Sequence, residues 1–85
     1  MKINKAIQEF VDSAIASGYV SKEDRYYLLN RVLYLVGEES FESSKEVEQP
    51  SLLDAMANLV EAAVESGKIE NDSEERDWLE QELMN

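Results

Sequence analysis

Residues 6–20 read AIQEFVDSAIASGYV, and residues 55–69 read AMANLVEAAVESGKI. In both stretches, apolar or small residues recur at the three- and four-residue spacing of an amphipathic helix. Both stretches also contain Ser-Gly, and a glycine after a helix can adopt the left-handed conformation that satisfies the last carbonyl groups. The sequence therefore predicts two equivalent helices, each stopped by a glycine.

A second helix is predicted after each of these stretches. Ser21 is a candidate N-cap for the first one, which we expect over residues 22–36, with Gly37 as its stop. Residues 71–73, Asn-Asp-Ser, supply the cap of the other, which we expect over residues 74–85. Each half of the chain is thus predicted to be a helix hairpin.

The two second helices also correspond to one another. Arg25 aligns with Arg76 and Tyr27 with Trp78 when the halves are superposed in sequence. A single hairpin cannot cover the whole of its apolar stripe, so two hairpins are expected to pack around one core. The fold class that we predict is all-α, with two tandem hairpins packed as a four-helix arrangement.

A polar, acidic linker separates the hairpins. Residues 38–50 are mostly Glu and Ser, and Pro50 disfavours helix at the residue before it. Ser51 is then a candidate N-cap for the third helix. We therefore predict a single helical domain, residues 1–85, in which hairpin 1 spans residues 3–37 and hairpin 2 spans residues 51–85.

Composition excludes several chemistries. The 85 residues include no His and no Cys, which rules out a Ser-His-Asp triad, a Cys nucleophile, a disulfide framework and a thiolate zinc site. The formal charge is −11, and residues 43–85 carry 12 of the 19 acidic side chains but only 3 of the 8 basic ones. Such a chain repels phosphates, so we expect no nucleic-acid partner. Without a long apolar stretch or an apolar leader, we expect no membrane partner and a cytoplasmic location.

Neighbouring carboxylates occur at three places without indicating catalysis. Glu23-Asp24, Glu38-Glu39 and Glu74-Glu75 fall at helix starts or in the linker, where solvated acids are common and favour helix N-termini. Residues 71–75 lack the alternating oxygen ligands, the central glycine and the terminal Glu of a calcium loop. We predict no catalytic residue, no cofactor and no metal site in this chain.

Aromatic side chains could line a ligand site or the core. They are Phe10, Tyr19, Tyr26, Tyr27, Tyr34, Phe41 and Trp78. Because Tyr27 and Trp78 occupy equivalent positions in the repeat, we expect both in the core. Tyr26 and Tyr34 are candidates for a partner-facing patch, and the alternative is that both are half-buried with solvated hydroxyl groups.

Two arginines and one asparagine on the second helix are further candidates. Arg25 and Arg31 could bind a phosphate, but pairing with the abundant local acids is the favoured interpretation. The equivalence of Arg25 and Arg76 indicates a structural role repeated in each hairpin. Asn30 lies among leucines, and if it were buried it would need hydrogen-bond partners.

Residues 18–33, GYVSKEDRYYLLNRVL, resemble the start of a bacterial enzyme family, the UTP–hexose-1-phosphate uridylyltransferases. This family is the second class of galactose-1-phosphate uridylyltransferases, and its members begin with a helix, Gly-x-Ile/Val and then Asp-Arg-x-Tyr-x-x-Asn-Arg. The residues that fit this string are Asp24, Arg25, Tyr27, Asn30 and Arg31. Hairpin 2 is similar to the next segment of the family, so the resemblance covers nearly the whole chain except the linker.

Members of that family are several times longer than this chain. The resemblance therefore implies an N-terminal domain of an enzyme that transfers a uridylyl group between UDP-glucose and galactose 1-phosphate. The sequence ends at residues 83–85 without a helix stop signal, which we interpret as a fragment. Related transferases use a histidine nucleophile, and since this chain has none, no catalytic residue is carried over. The implied partners are the remainder of the parent enzyme or a homo-oligomer partner.

Other functions are compatible with the same residues. A free-standing acidic adaptor or regulator would use the acidic second half to meet a basic partner. A nucleic-acid mimic is a third hypothesis, although it would need acids in regular rows rather than around an amphipathic core. The resemblance favours the transferase domain.

Overall fold

A computed structural model of the chain describes residues 3–38 and 51–84, and helices dominate both parts. The helices are α1 (Ile3–Ala16), α2 (Arg25–Val36), α3 (Leu52–Glu65) and α4 (Ser73–Leu83). No strand occurs in these two parts, and the predicted all-α class is confirmed. Residues 39–50 of the predicted linker, including Glu39 and Phe41, lie outside the described residues.

The predicted glycine stops are confirmed in both hairpins. Gly18 and Gly67 have φ angles of +79° and +76°. The amides of Tyr19 and Lys68, the residues that follow, donate to carbonyl groups five residues back at 3.0 and 2.8 Å. Each glycine also donates to a carbonyl three residues back at 3.1 Å. This pair of bonds satisfies the carbonyls left free at a helix C-terminus, in a backbone conformation that a residue with a Cβ adopts only at a cost.

The helices of hairpin 2 begin with the side-chain caps that the sequence predicts. Ser51 Oγ accepts a hydrogen bond from the amide of Asp54 at 3.3 Å. At the start of α4, Asp72 Oδ1 accepts from the amide of Glu75 at 2.8 Å. Both bonds satisfy an amide that has no partner within the helix, which stabilises a helix by about 1 kcal/mol.

The start of α2 differs from the prediction. The predicted cap, Ser21, donates its hydroxyl to Asp24 Oδ2 at 2.9 Å and accepts from no backbone amide with its side chain. A 3-10 turn over Lys22–Asp24 intervenes, and the α-helix begins at Arg25 rather than at residue 22. Ser21 does occupy the N-cap position of this 3-10 turn, with extended backbone. The expected side-chain cap was wrong, because the Ser21 hydroxyl donates to the Asp24 carboxylate and accepts from no amide.

The four helices pack as a ring around one core. Within the hairpins α1 packs on α2 and α3 on α4, while α1 packs on α3 and α2 on α4 between the hairpins, the α1–α3 contact being the most extensive. Burying each large apolar side chain contributes about 1.5–3 kcal/mol. The largest fully buried apolar side chains are Phe10, Ile7, Leu59, Leu79, Val11, Val32, Val36 and Val60.

The internal repeat is visible in the ion pairs within each hairpin. In hairpin 1, Arg25 Nη2 lies 3.3 Å from Asp12 Oδ1. In hairpin 2, the equivalent Arg76 pairs with Glu61. Each pair ties the start of the second helix to the middle of the first, which confirms the predicted structural role of these arginines.

Contacts between the hairpins are reciprocal. Tyr19 donates to the backbone carbonyl of Met84 after α4, and Lys68, its equivalent in the repeat, donates to the carbonyl of Gly37 after α2 at 3.4 Å. Each hairpin loop thus reaches the C-terminal end of the other hairpin. Such reciprocity is the property of an approximate twofold relation.

The prediction that Tyr27 and Trp78 lie in the core was wrong. Tyr27 is 69% exposed and Trp78 is 45% exposed. Tyr27 and Trp78 do have matching environments, as their equivalence in the repeat predicts. Both lie on the surface near the loop of their own hairpin. The next residues, Leu28 and Leu79, take the buried positions instead, because a step of one residue turns a helix by about 100°.

Candidate functional site

One face of α2 is exposed and aromatic. Tyr26 is 75% exposed and Tyr34 is 85% exposed, and Tyr27 and Asn30 are exposed between them. We call these four residues the tyrosine face. The opposite side of the helix enters the core through Leu28, Leu29, Val32 and Val36. The structure therefore agrees with exposure of Tyr26 and Tyr34, and it adds Tyr27 and Asn30.

The tyrosine face has no charged member. No Asp or Glu occurs from Arg25 to Val36, and Arg25 and Arg31 both pair with acids of other helices. Arg31 Nη2 lies 3.4 Å from Glu82 Oε2 and also donates to the Glu82 carbonyl at 3.4 Å. Pairing with local acids, rather than a phosphate site, is what the structure shows for both arginines.

Asn30 needs no buried partner, because it is exposed. Among the predicted acidic pairs, Glu38 is engaged by Lys68, whose Nζ lies 3.2 Å from Glu38 Oε1. Glu23-Asp24 lies on the 3-10 turn before α2. Of the acids just described, Glu23 and Asp24 lie before α2 and Glu38 lies after it, so the structure does not bring these three together into one site.

A surface groove of about 670 Å³ lies at the start of α4. Its lining consists of Glu70, Asp72, Glu74, Glu75 and Trp78. Four carboxylates beside an exposed indole ring favour positively charged groups over anions. The sequence pairs Glu74 with Glu75, but it gives no signal that Glu70 and Trp78 join them.

A second groove, of about 470 Å³, lies at the equivalent place in hairpin 1. Its lining consists of Tyr19, Val20, Ser21, Asp24, Tyr27, Leu28 and Arg31. Tyr27 stands where Trp78 stands in the acidic groove, and Asp24 where Glu75 stands. The repeat thus builds the same groove twice with different charge.

One carboxylate is buried outside both grooves. Glu9 in α1 is 5% exposed, and its Oε2 accepts no hydrogen bond. An unpaired buried polar atom costs stability. The helical pattern of α1 places Glu9 away from the apolar stripe, so the sequence predicts exposure and does not reveal this burial.

The described residues form neither a metal cluster nor a membrane-spanning helix. Residues 3–38 and 51–84 hold no group of three or more His, Cys, Asp or Glu side chains arranged to bind a metal ion. Of the four helices given above, none is both long and apolar enough to cross a bilayer.

The chain is similar to bacterial transferases over nearly its whole length. It is 39% identical over 79 residues to galactose-1-phosphate uridylyltransferase 1 of Streptococcus pneumoniae serotype 4, and 37% identical over 79 residues to the galactose-1-phosphate uridylyltransferase of Streptococcus mutans. The enzyme of that name from Lactiplantibacillus plantarum is 39% identical over 80 residues. This chain is homologous to one segment of the galactose-1-phosphate uridylyltransferases.

The similarity confirms the family resemblance and shows that it extends over only a small part of the transferases. Each alignment covers 93% of this chain but only 16% of the transferase. The chain therefore spans about one sixth of the length of the enzymes it matches. No family model matches it, and no solved structure does.

Proposed function

We propose that this chain is the non-catalytic N-terminal helical domain of a galactose-1-phosphate uridylyltransferase. In the full-length protein, that enzyme would transfer a uridylyl group between UDP-glucose and galactose 1-phosphate, in the cytoplasm, as a step of galactose metabolism. The observation that carries the proposal is the 37–39% identity over 93% of the chain to enzymes of which it spans 16%.

The residues of the chain support a role without chemistry. It has no His, the side chain best suited to proton transfer near neutral pH. Several of its described acids lie in ion pairs, such as Asp12 and Glu82, or in an open surface groove, such as Glu74 and Glu75. A catalytic carboxylate pair needs an enclosed site, whereas none of these four side chains is buried.

The domain would instead serve the assembly of the enzyme. Its partners would be proteins, either the remainder of the parent chain or a second copy, and not nucleic acid or membrane. The tyrosine face supports this assignment, since a monomeric soluble domain seldom leaves a contiguous aromatic surface open to water.

A chimeric enzyme tests the proposal. This chain would replace the corresponding segment of the Streptococcus pneumoniae transferase, and uridylyl transfer from UDP-glucose to galactose 1-phosphate would be measured. We expect turnover close to that of the natural enzyme and no turnover from the 85-residue chain alone. The matched control carries Leu59→Asp, which puts a charge into the core of the domain. The domain should then no longer stabilise the rest of the enzyme.

Two results would contradict the proposal. One is measurable uridylyl transfer by the isolated chain, since the domain would then hold catalytic groups of its own. The other is a chimera that circular dichroism shows to be folded, but that is no more active or stable than the Leu59→Asp control.

A further inference from the structure

The tyrosine face is unusual because of the charge around it. The chain carries a net charge of −11, yet α2 contains no carboxylate. The equivalent helix α4 contains five, namely Glu74, Glu75, Asp77, Glu80 and Glu82. α3 also exposes acids, including Glu61 and Glu65. Acids flank α2 at Glu23, Asp24 and Glu38, but none lies within it, so two copies of this chain would repel one another less across α2 than across α3 or α4.

The spacing of the face is self-complementary. Tyr26, Asn30 and Tyr34 follow one another at intervals of four residues, which places them in one row along the helix. Asn30 stands midway between the two tyrosines. When two such helices lie antiparallel about an axis through Asn30, each Tyr26 meets the Tyr34 of the other helix, and the two Asn30 amides meet. An amide carries both a donor and an acceptor, so two of them can pair with each other.

The geometry points to the tyrosine face as the interface of a symmetric homodimer, formed with a second copy of this chain. A twofold interface requires a patch that matches itself, and Tyr26–Asn30–Tyr34 has that symmetry. Tyrosines are well suited to such a contact because they bring a large contact area with few rotatable bonds. The inference concerns the 85-residue chain itself and stands whether or not the transferase proposal is correct.

The dimer is expected to be weak. α2 has 12 residues and is about 18 Å long, so one helix pair buries less than the ~1,200 Å² below which complexes are commonly transient. We expect half-dissociation at about 10–100 µM. Analytical ultracentrifugation between ~1 µM and ~500 µM, a range that brackets this value, should show a monomer that converts to a dimer.

A matched pair of variants locates the interface. Asn30→Glu sets two carboxylates against each other on the dimer axis, whereas Gln81→Glu adds the same charge at the equivalent, exposed position of α4. Glu has a higher helix propensity than Asn and about the same propensity as Gln, so folding should be retained in both variants. We expect Asn30→Glu to raise the dissociation constant at least ~10-fold, and Gln81→Glu to leave it within about threefold, since an added charge far from a contact acts weakly.

A second pair of variants distinguishes a specific aromatic contact from non-specific association through exposed apolar side chains. Tyr26→Ala with Tyr34→Ala removes the two ends of the row, and Leu53→Ala removes an exposed apolar side chain of α3. We expect the tyrosine double variant to be monomeric and Leu53→Ala to dimerise as the parent chain does. Added salt should tighten the dimer of the parent chain, because it screens the repulsion between two acidic copies.

Three results would overturn the inference. The first is a parent chain that stays monomeric at ~500 µM, far above the expected dissociation range; the face would then await a different partner. The second is equal weakening by Asn30→Glu and Gln81→Glu, or by Leu53→Ala and the tyrosine double variant. The third is a dimer that dissociates as salt is added.

Discussion

α2 and α4 occupy equivalent places in the two hairpins. Comparing them shows which positions the packing of the core fixes and which positions on the surface vary. Both bury a leucine at the same repeat position, Leu28 in α2 and Leu79 in α4. Their exposed sides differ, since α2 shows tyrosines without any acid and α4 shows five acids around Trp78. Packing preserves the apolar positions of the repeat, while the solvent-facing positions are free to acquire opposite properties.

The largest expected effect tests the shared framework. Leu28→Ala and Leu79→Ala should each destabilise the domain by about 2–5 kcal/mol, since each removes a buried side chain and leaves a cavity. Urea unfolding followed by circular dichroism measures both values. Loss of stability in only one of the two variants would show that the hairpins do not contribute equally to the core.

The glycine stops should give the next largest effect. Gly18→Ala and Gly67→Ala each place a Cβ on a left-handed residue, with an expected cost of about 1–2 kcal/mol. Nothing lies within 4 Å of a Cβ at either position, so the cost comes from the backbone alone. Gly67→Asn is the matched control and should cost less, because Asn tolerates this conformation better. A cost for Gly67→Asn equal to that of Gly67→Ala would contradict the explanation.

The helix starts sharpen the contrast between α2 and α4. Asp72→Ala removes a cap that accepts from a backbone amide, and we expect a loss of about 1 kcal/mol. Ser21→Ala should lower the free energy of unfolding by only a few tenths of a kcal/mol, since Ser21 donates to the Asp24 carboxylate and accepts from no amide of α2. Thermal unfolding of the two variants side by side gives the comparison. An equal loss would mean that the 3-10 turn depends on Ser21 as strongly as α4 depends on Asp72.

The smallest effect concerns the repeated ion pairs. Double-mutant cycles on Asp12–Arg25 and Glu61–Arg76 should each give about 0.2–1 kcal/mol, because all four side chains are partly exposed and water screens the charges. Both coupling energies should fall as salt is added. A coupling that is insensitive to salt in either hairpin would argue against an electrostatic origin.

Local features of the fold follow from the sequence, and features of the tertiary packing do not. The caps at Ser51 and Asp72 and the stops at Gly18 and Gly67 are predictable because they depend on residues close in sequence. The repeat also predicts that Arg25 and Arg76 share a role.

The exposure of Tyr27 and Trp78 could not be obtained in that way. A repeat shows that two positions share an environment, and only the packing of α2 on α4 decides whether that environment is core or surface. Burial of Glu9 has the same origin, since its position on α1 predicts exposure until the neighbouring helices are in place. The grooves are likewise products of packing. The tyrosine face has two signals in the sequence, namely the tyrosines Tyr26 and Tyr34, which are candidates for a partner-facing patch, and the absence of acids in α2.

The coding sequence downstream of codon 85 tests the central claim most directly, that this chain is one domain of a galactose-1-phosphate uridylyltransferase. Sequencing that region in the source genome is the measurement. We expect the reading frame to continue into a much longer, histidine-containing region similar to the rest of those transferases. A stop codon directly after codon 85, with no transferase sequence following it, would contradict the account.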